Sequence, residues 1–304
     1  MKRYLLRRLG QSVLVIVAAM IAIFIIGHVL GDPVNAVVSE FASIEEREAV
    51  RDKLGFNDPI LVQFGRFAMG VIQLDFGTSP VTGEDALGMV MSALPNTAML
   101  GGAILLLALP IGFVMGAWGA FRPGSFVDRA ANVMSLAGIS VVEFWLGLTL
   151  ITLIAVPIGV IPTGGTSGAL AILLPAMTGA FRIIGRVAQF SRSALLEEYS
   201  KPYVEMARAK GLSDRRIFLH VSKNAATAII TVSTDEILGL VNGVVVIETV
   251  FAWPGVGRLV IDALGNTDLF VLQAAVFTFV VLVMVITFII DLTYMLFNPR
   301  VRYE

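Results

Sequence analysis

The sequence predicts an all-α polytopic membrane protein with six transmembrane helices. Hydrophobic residues make up 57% of the 304 positions and charged residues only 15%, whereas a soluble domain is about 25% charged. The apolar residues gather in six long runs, and the basic residues concentrate between them on one side. The chain contains no cysteine, which excludes disulfides and thiolate metal sites.

Each apolar run is close to or above the roughly 20 residues that a helix needs to cross a bilayer. The runs cover residues 9–30, 97–120, 130–156, 169–190, 225–251 and 271–297. A cleavable signal peptide is the alternative for the first run, which follows a basic start. Its full-span length and the lack of a small-residue cleavage site at its end favour a membrane helix.

The lysines and arginines predict the orientation. If the N-terminus is cytoplasmic, 17 of the 22 basic residues fall on the inner side and 5 on the outer side. Because Lys and Arg accumulate on the cytoplasmic side of membrane proteins, we expect both termini and the loop 191–224 to be cytoplasmic. The chain then divides into a first segment with one span (1–30), an external segment (31–96) and a five-helix core (97–304).

The external segment 31–96 is acidic, and its pattern predicts a small helical cap. Ser43 precedes a helical stretch to Leu54, and Glu46 three residues on completes a capping box. Turns are expected at Asn57-Asp58-Pro59 and Thr78-Ser79-Pro80. Such a cap is a dock for a partner, a lid on a pathway or a solvated loop. Within the core, we expect loop 157–168 to be a flexible turn and Trp253 to lie at the lipid headgroups.

The most informative stretch is EMARAKGLSDRRIFLHVSKN, residues 205–224, a basic segment between two apolar runs. Good helix formers lead to Gly211, which can adopt the left-handed conformation that ends a helix. Ser213 can then cap a second short helix, with Asp214 in its first turn. The segment therefore predicts two short helices joined by a glycine turn at a membrane surface. The alternative is a basic loop that only orients the protein.

Glu205, Ala207 and Gly211 resemble the Glu-Ala-Ala opening and the glycine of the coupling loop of bacterial ABC importer permeases. Met206 stands where that loop has its first alanine, and Ser222-Lys223 departs from its closing Leu-Pro-Asn. In the family this loop docks into a cleft on the ATPase subunit. The resemblance implies that an ATPase contacts the following residues: Glu205, Ala207, Arg208, Ala209, Gly211 and Asp214.

Further motifs along the chain resemble one branch of that family, the dipeptide/oligopeptide (peptide/nickel-type) permeases. They include MKRYLLRRLGQS, LGFNDPILVQFGRF, LDFGTS, VIETVFAWPGVGRLVIDAL and DLTYMLFNPRVRY, in that order. The resemblance implies a type I importer permease fold in the bacterial cytoplasmic membrane. It also implies a second related permease, two ATPase subunits that bind ATP and Mg, an external binding protein and a peptide substrate. Nickel chelates, glutathione and opines are the alternatives on this scaffold.

Catalytic, cofactor-binding and metal-ligating motifs are absent from the sequence. It has no Gly-rich loop ending in Gly-Lys-Ser/Thr, so we expect ATP to bind only to partner subunits, and it has no His-Glu-x-x-His. The chain is therefore expected to be a non-catalytic subunit.

Four polar residues fall inside predicted spans: Glu143, Asp235, Glu236 and Asn242. A charge at a helix centre costs about 2.5–3.5 kcal/mol on insertion scales, so such residues usually face a pathway or a partner. We expect Glu143 and one of the two adjacent acids to line a translocation route, where they can meet a cationic group. Ion pairs with Arg182 or Arg186 are the structural alternative, and a proton relay in an ion-coupled transporter or channel is the alternative function.

Overall fold

The computed structural model describes residues 2–29, 43–55 and 57–297, and these ranges are mainly helical. The helices are α1 (Lys2–Val29), α2 (Ile44–Leu54), α3 (Ile60–Gln73), α4 (Ala86–Phe121), α5 (Phe126–Ser140), α6 (Glu143–Leu150), α7 (Val156–Ile158), α8 (Leu173–Tyr199), α9 (Pro202–Ala209), α10 (Asp214–Val250), α11 (Val256–Gly265) and α12 (Leu269–Phe297). A π-helical turn, Ile151–Ala155, joins α6 to α7.

Among the described residues, three helices are long and apolar enough to cross a membrane: α4, α10 and the Leu269–Ile290 part of α12. They cover the second predicted span, the fifth up to residue 250 and the sixth up to residue 290. The first predicted span lies in α1, whose described apolar part is Val13–Ile25. The fourth lies in α8. A count of six spans stays a prediction.

The third predicted span is not one straight helix, contrary to expectation. Phe126–Ser140 and Glu143–Ile158 meet at an angle of 105° and together can form one broken span. Val141 and Val142 are extended at the break, and β-branched residues resist helical backbone more than most apolar residues do. The break places the Glu143 carboxylate in the first turn of α6, where the helix dipole favours a negative charge.

The chain forms two compact units, Met1–Thr97 with Pro254–Phe288 and Ala98–Trp253 with Ile289–Glu304. The core of the first unit contains Val71, Val90, Val256 and Leu272, among others. The core of the second unit is larger and joins α4, α8 and α10 through the following buried residues: Leu100, Ile104, Leu174, Ile183, Val244, Ile247, Phe251 and Trp253.

Trp253 is therefore a core residue of the second unit, and its position at the level of the lipid headgroups stays a prediction. Only 1% of its surface is exposed, and its backbone N–H donates to the carbonyl of Glu248, 2.8 Å away. The loop 157–168 reaches the same region, because the N–H of Gly165 donates to the carbonyl of Phe251 at 2.9 Å. An interfacial Trp and a core Trp share the same apolar flanking sequence, so the sequence did not separate them.

Glycines hold α8 close to its neighbours. A Cβ on Gly185 of α8 would lie 2.5 Å from the carbonyl oxygen of Ser135, and one on Gly138 of α5 would lie 2.6 Å from the carbonyl oxygen of Phe181. A Cβ on Gly116 of α4 would lie 2.8 Å from the Cβ of Ser191. Small residues let helix backbones approach this closely, so α8 is fixed between α4 and α5.

The predicted capping box of the external segment is confirmed. The N–H of Glu46 donates to Ser43 Oγ at 3.2 Å, and the N–H of Ser43 donates to Glu46 Oε2 at 3.1 Å. Gly55 ends the helix with a left-handed φ of 72°. Residues 31–42 of the predicted cap lie outside the described residues.

Candidate functional site

The segment predicted to couple to an ATPase forms a helix, a glycine turn and a helix. Helix α9 begins with Pro202 at its first position, where the missing N–H costs nothing. Gly211 has φ +76°, and its N–H donates to the carbonyl of Arg208 at 2.9 Å. Nothing lies within 4 Å of the place where a Cβ on Gly211 would be. The left-handed backbone therefore favours glycine at this position. The space that a side chain would occupy stays open.

One side of α9 is packed and the other is free. Val204 is fully buried and belongs to a cluster with Leu195 of α8, Ile217 and Val221 of α10 and Ala117 of α4. The following exposed residues of this segment are here named the coupling surface: Glu205, Met206, Arg208, Ala209, Gly211 and Asp214. Ala207 is half-buried beside them. Five of the six predicted coupling residues are thus exposed and Ala207 is half-buried, and their contact with an ATPase stays a prediction.

The second short helix predicted after the glycine turn does not exist as a separate element. Helix α10 runs without a break from Asp214 to Val250, a length of 37 residues. Ile217, Val221 and Ala225 recur every fourth residue and are buried, so one apolar stripe carries the helix across the predicted boundary. Ser213 is the N-cap residue, but its side chain makes no capping hydrogen bond.

Polar contacts fasten the start of α9. The Tyr203 hydroxyl donates to Glu198 Oε2 at 2.9 Å, and Lys201 pairs with the same carboxylate. The hydrogen bond from Lys201 lowers the pKa of Glu198 below its ordinary value. Asn224, the last residue of the predicted motif, interacts with Tyr203 through a side-chain hydrogen bond. The motif's closing asparagine therefore supports α9 even though Ser222-Lys223 departs from the family pattern.

Asp128 and Arg192 join α5 to α8 near the same end of the second unit. Arg192 donates from Nε to Asp128 Oδ1 at 2.6 Å and from Nη2 to Oδ2 at 2.9 Å. The N–H of Gly124 also donates to Oδ2, at 2.8 Å. The hydrogen bonds with Asp128 raise the pKa of Arg192 above its ordinary value.

A second set of charges, here named the charge cluster, consists of Glu143, Arg182, Arg186 and Glu236. Arg182 donates from Nε to Glu143 Oε1 at 2.8 Å and from Nη1 to Glu236 Oε2 at 3.0 Å. Arg186 Nε lies 2.9 Å from Glu236 Oε1. The side chain of Glu236 is 4% exposed and that of Glu143 16%. These are the ion pairs that the sequence left open as the structural alternative.

The other two predicted pathway residues lie outside this network of ion pairs. Asp235 is exposed, because it points about 100° away from its neighbour Glu236 on the helix. Asn242 is exposed and lines a groove of about 560 Å³ together with Glu143 and Arg182. Gly243, one turn along α10 from Gly239, makes room for the carboxylate, since a Cβ there would lie 3.0 Å from Glu143 Oε2. The spacing of these two glycines is a sequence signal for the groove.

Two family models match the chain. Residues 108–303 match the binding-protein-dependent transport system inner membrane component, and residues 1–101 match the N-terminal membrane component of the same systems.

Curated relatives match over the full length. The chain is 34% identical to the probable peptide ABC transporter permease protein y4tP of Sinorhizobium fredii, over 99% of both chains. It is 33% identical to the oligopeptide transport system permease protein AppB of Bacillus subtilis and 31% identical to the glutathione transport system permease protein GsiC of Salmonella paratyphi A, over 100% of each pair.

A solved structure of the inward-facing MetNI methionine ABC transporter has a similar fold. One of its chains aligns with a TM-score of 0.52 at 21% identity, covering 69% of this chain and 94% of that one. The predicted type I importer permease fold is thereby supported at the level of the helical architecture.

Proposed function

The chain belongs to the family of inner membrane components of binding-protein-dependent transport systems, and from that premise we propose that it forms half of a pathway for short peptides. It is the permease subunit of an ABC importer, as its curated relatives are. Their names support a peptide substrate, and glutathione, the substrate named for one relative, is itself a modified tripeptide. The second half of the pathway is a related permease.

The coupling surface is the observation that carries the mechanism. It is exposed on one side, while Val204 and its neighbours fasten the other side to α4, α8 and α10. A partner ATPase that moves this surface moves α10 with it, because α10 continues for 37 residues without a break. Two ATPase subunits bind ATP and Mg, this chain itself binds neither, and the closing and opening of the ATPases switches the permease between inward-open and outward-open states.

The pathway is proposed to pass the groove beside the charge cluster. Glu143 and Asn242 reach the groove, while Glu236 holds both arginines behind it. Asp235 stays a prediction as a pathway residue, since its exposed side chain is outside the groove. An external binding protein delivers the substrate, and both termini and the coupling surface face the cytoplasm, as the distribution of basic residues predicts.

The ion pairs argue against the alternative of a proton relay. Glu143 and Glu236 both accept hydrogen bonds from arginine within one network of ion pairs, which is the structural alternative to a relay. Nickel chelates and opines remain alternatives for the substrate, and no contact in the groove favours either over a peptide.

Affinity purification of the tagged chain from its native membrane in mild detergent tests the assembly. We expect two ATPase subunits and one related permease in the purified complex, identified by mass spectrometry. Proteoliposomes of that complex, supplied with its binding protein, should then accumulate a labelled tripeptide only when ATP is present. A chain that purifies alone and transports without ATP would contradict the proposal.

A further inference from the structure

The groove beside the charge cluster has the size and chemistry of a ligand site. Its volume of about 560 Å³ falls within the roughly 300–1,000 Å³ of small-molecule sites. Phe144 and Val246 contribute to its mainly apolar wall, and Glu143, Arg182 and Asn242 contribute charge and an amide. A mainly apolar cleft with a few converging polar groups is the usual composition of a specific small-molecule site.

The two carboxylates of the cluster are held differently. Glu236 accepts from Arg182 on one oxygen and from Arg186 on the other, and its side chain is 4% exposed. Glu143 accepts from Arg182 on Oε1, is 16% exposed and lines the groove. Glu143 is therefore the acid that a ligand in the groove can reach. Arg182 can release it and remain bound to Glu236 through Nη1.

The cluster contains two positive and two negative side chains, so its formal charge is zero. A ligand with one charge that enters between Glu143 and Arg182 pairs with only one of them and gives the site a net charge, even though Arg182 keeps Glu236. A net charge on side chains that are partly withdrawn from water is unfavourable. A ligand with a cationic and an anionic end replaces the broken pair by two new pairs and keeps the site neutral.

We propose that the groove selects zwitterionic short peptides, with the peptide ammonium on Glu143 and the peptide carboxylate on Nε of Arg182. The Glu143–Arg182 hydrogen bond opens as the peptide enters and closes again when it leaves. Asn242 offers an amide donor and acceptor to the peptide backbone. This inference rests on the proposed function and adds to it a selection step inside the permease, separate from that of the binding protein.

The direct test measures peptide binding to the purified permease–ATPase complex without its binding protein. The probes are trialanine, N-acetyl-trialanine and trialanine amide, and the readout is isothermal titration. We expect wild-type complex to bind both blocked peptides about tenfold or more weakly than trialanine, since each loses one charged hydrogen-bond pair. Glu143→Gln should bind trialanine and N-acetyl-trialanine with similar affinity. Glu197→Gln, an exposed acid at the end of α8, should behave as wild type.

A gain-of-binding variant guards against misfolding of Glu143→Gln, which leaves Arg182 short of one partner. Asn242→Asp keeps the cluster intact and adds a carboxylate to the groove wall, so it should bind the cationic trialanine amide more tightly than wild type does. Unchanged affinity for trialanine amide in this variant contradicts the inference, as does equal binding of free and blocked peptides by wild type.

Uptake by proteoliposomes with the binding protein separates the two proposals. If wild-type complex imports trialanine with ATP but the complex alone binds none of the three peptides, the selection step is wrong and the importer function stands. If wild type imports no peptide at all, the proposed function fails, and this inference fails with it.

Discussion

Arg192 of α8 donates a hydrogen bond to each carboxylate oxygen of Asp128 of α5, with donor–acceptor distances of 2.6 and 2.9 Å. Asp128 is almost fully buried, whereas the Arg192 side chain is about 30% exposed. This bidentate pair joins the start of the broken span to the helix that carries the charge cluster. It therefore contributes to the stability of the second unit and not only to its surface charge.

Asp128→Asn should lower the free energy of unfolding by about 2–3 kcal/mol, because it removes a charged hydrogen-bond partner from Arg192. Thermal unfolding of the purified complex in detergent measures this loss. Asp85→Asn removes an exposed carboxylate from the first unit and serves as a comparison for generic charge effects. Asp85 Oδ2 accepts a hydrogen bond from the N–H of Gly88, so we expect a small loss of stability in this variant.

The coupling turn predicts a defect that is separable from stability. Alanine at Gly211 must adopt a left-handed backbone, at a cost of about 1–2 kcal/mol, and it adds a methyl group to the proposed ATPase contact. We expect Gly211→Ala to reduce peptide-stimulated ATP hydrolysis while the complex still assembles. Gly83→Ala is a matched control, because Gly83 has φ +77° and open space around it but lies in the external segment. Equal losses of peptide-stimulated ATP hydrolysis in both variants would mean that backbone strain alone explains the defect of Gly211→Ala.

The absence of cysteine from the chain allows a clean proximity measurement. A photo-crosslinker attached at Ala209→Cys, on the coupling surface, should capture an ATPase subunit. The same reagent at Thr152→Cys, an exposed position in the π-helical turn, should not. Capture of an ATPase only from Thr152→Cys would invert the proposed arrangement.

The buried position of Trp253 can be tested against an exposed tryptophan. Trp253→Ala should destabilise the second unit by about 3–5 kcal/mol, the range for truncation of a large core aromatic. Trp145→Ala is the comparison, since 60% of Trp145 is exposed. Its removal should change the melting temperature much less. Similar small effects at both sites would contradict the core position of Trp253.

Local chemistry explains which features the sequence predicted. The capping box of Ser43 and Glu46 and the left-handed turn at Gly211 depend on residues within a few positions of each other, and both are confirmed. No glycine or proline marks the break at Val141 and Val142. An apolar run has the same hydropathy whether its helix is straight or bent. The continuity of α10 depends on Val221 and Ala225 packing against other helices, which hydropathy along the chain does not report.

The candidate site was predictable in its residue types but not in its partners. Charged residues in apolar runs indicated that Glu143 and Glu236 need a special environment. Two arginines one turn apart on α8 could have satisfied either acid, and only the packing of α6, α8 and α10 decides that Arg182 binds both. The groove depends on the absence of side chains at Gly239 and Gly243. Glycine carries no functional group, so neither position stands out in the sequence as part of a site.

The neutrality of the charge cluster has an electrical consequence. A membrane potential acts on each elementary charge that moves through it with about 2.3 kcal/mol per 100 mV. Glu143, Arg182, Arg186 and Glu236 carry two charges of each sign, so a displacement of the four together along the membrane normal transfers no net charge. A conformational change that carries the four residues together is therefore insensitive to the membrane potential at this site.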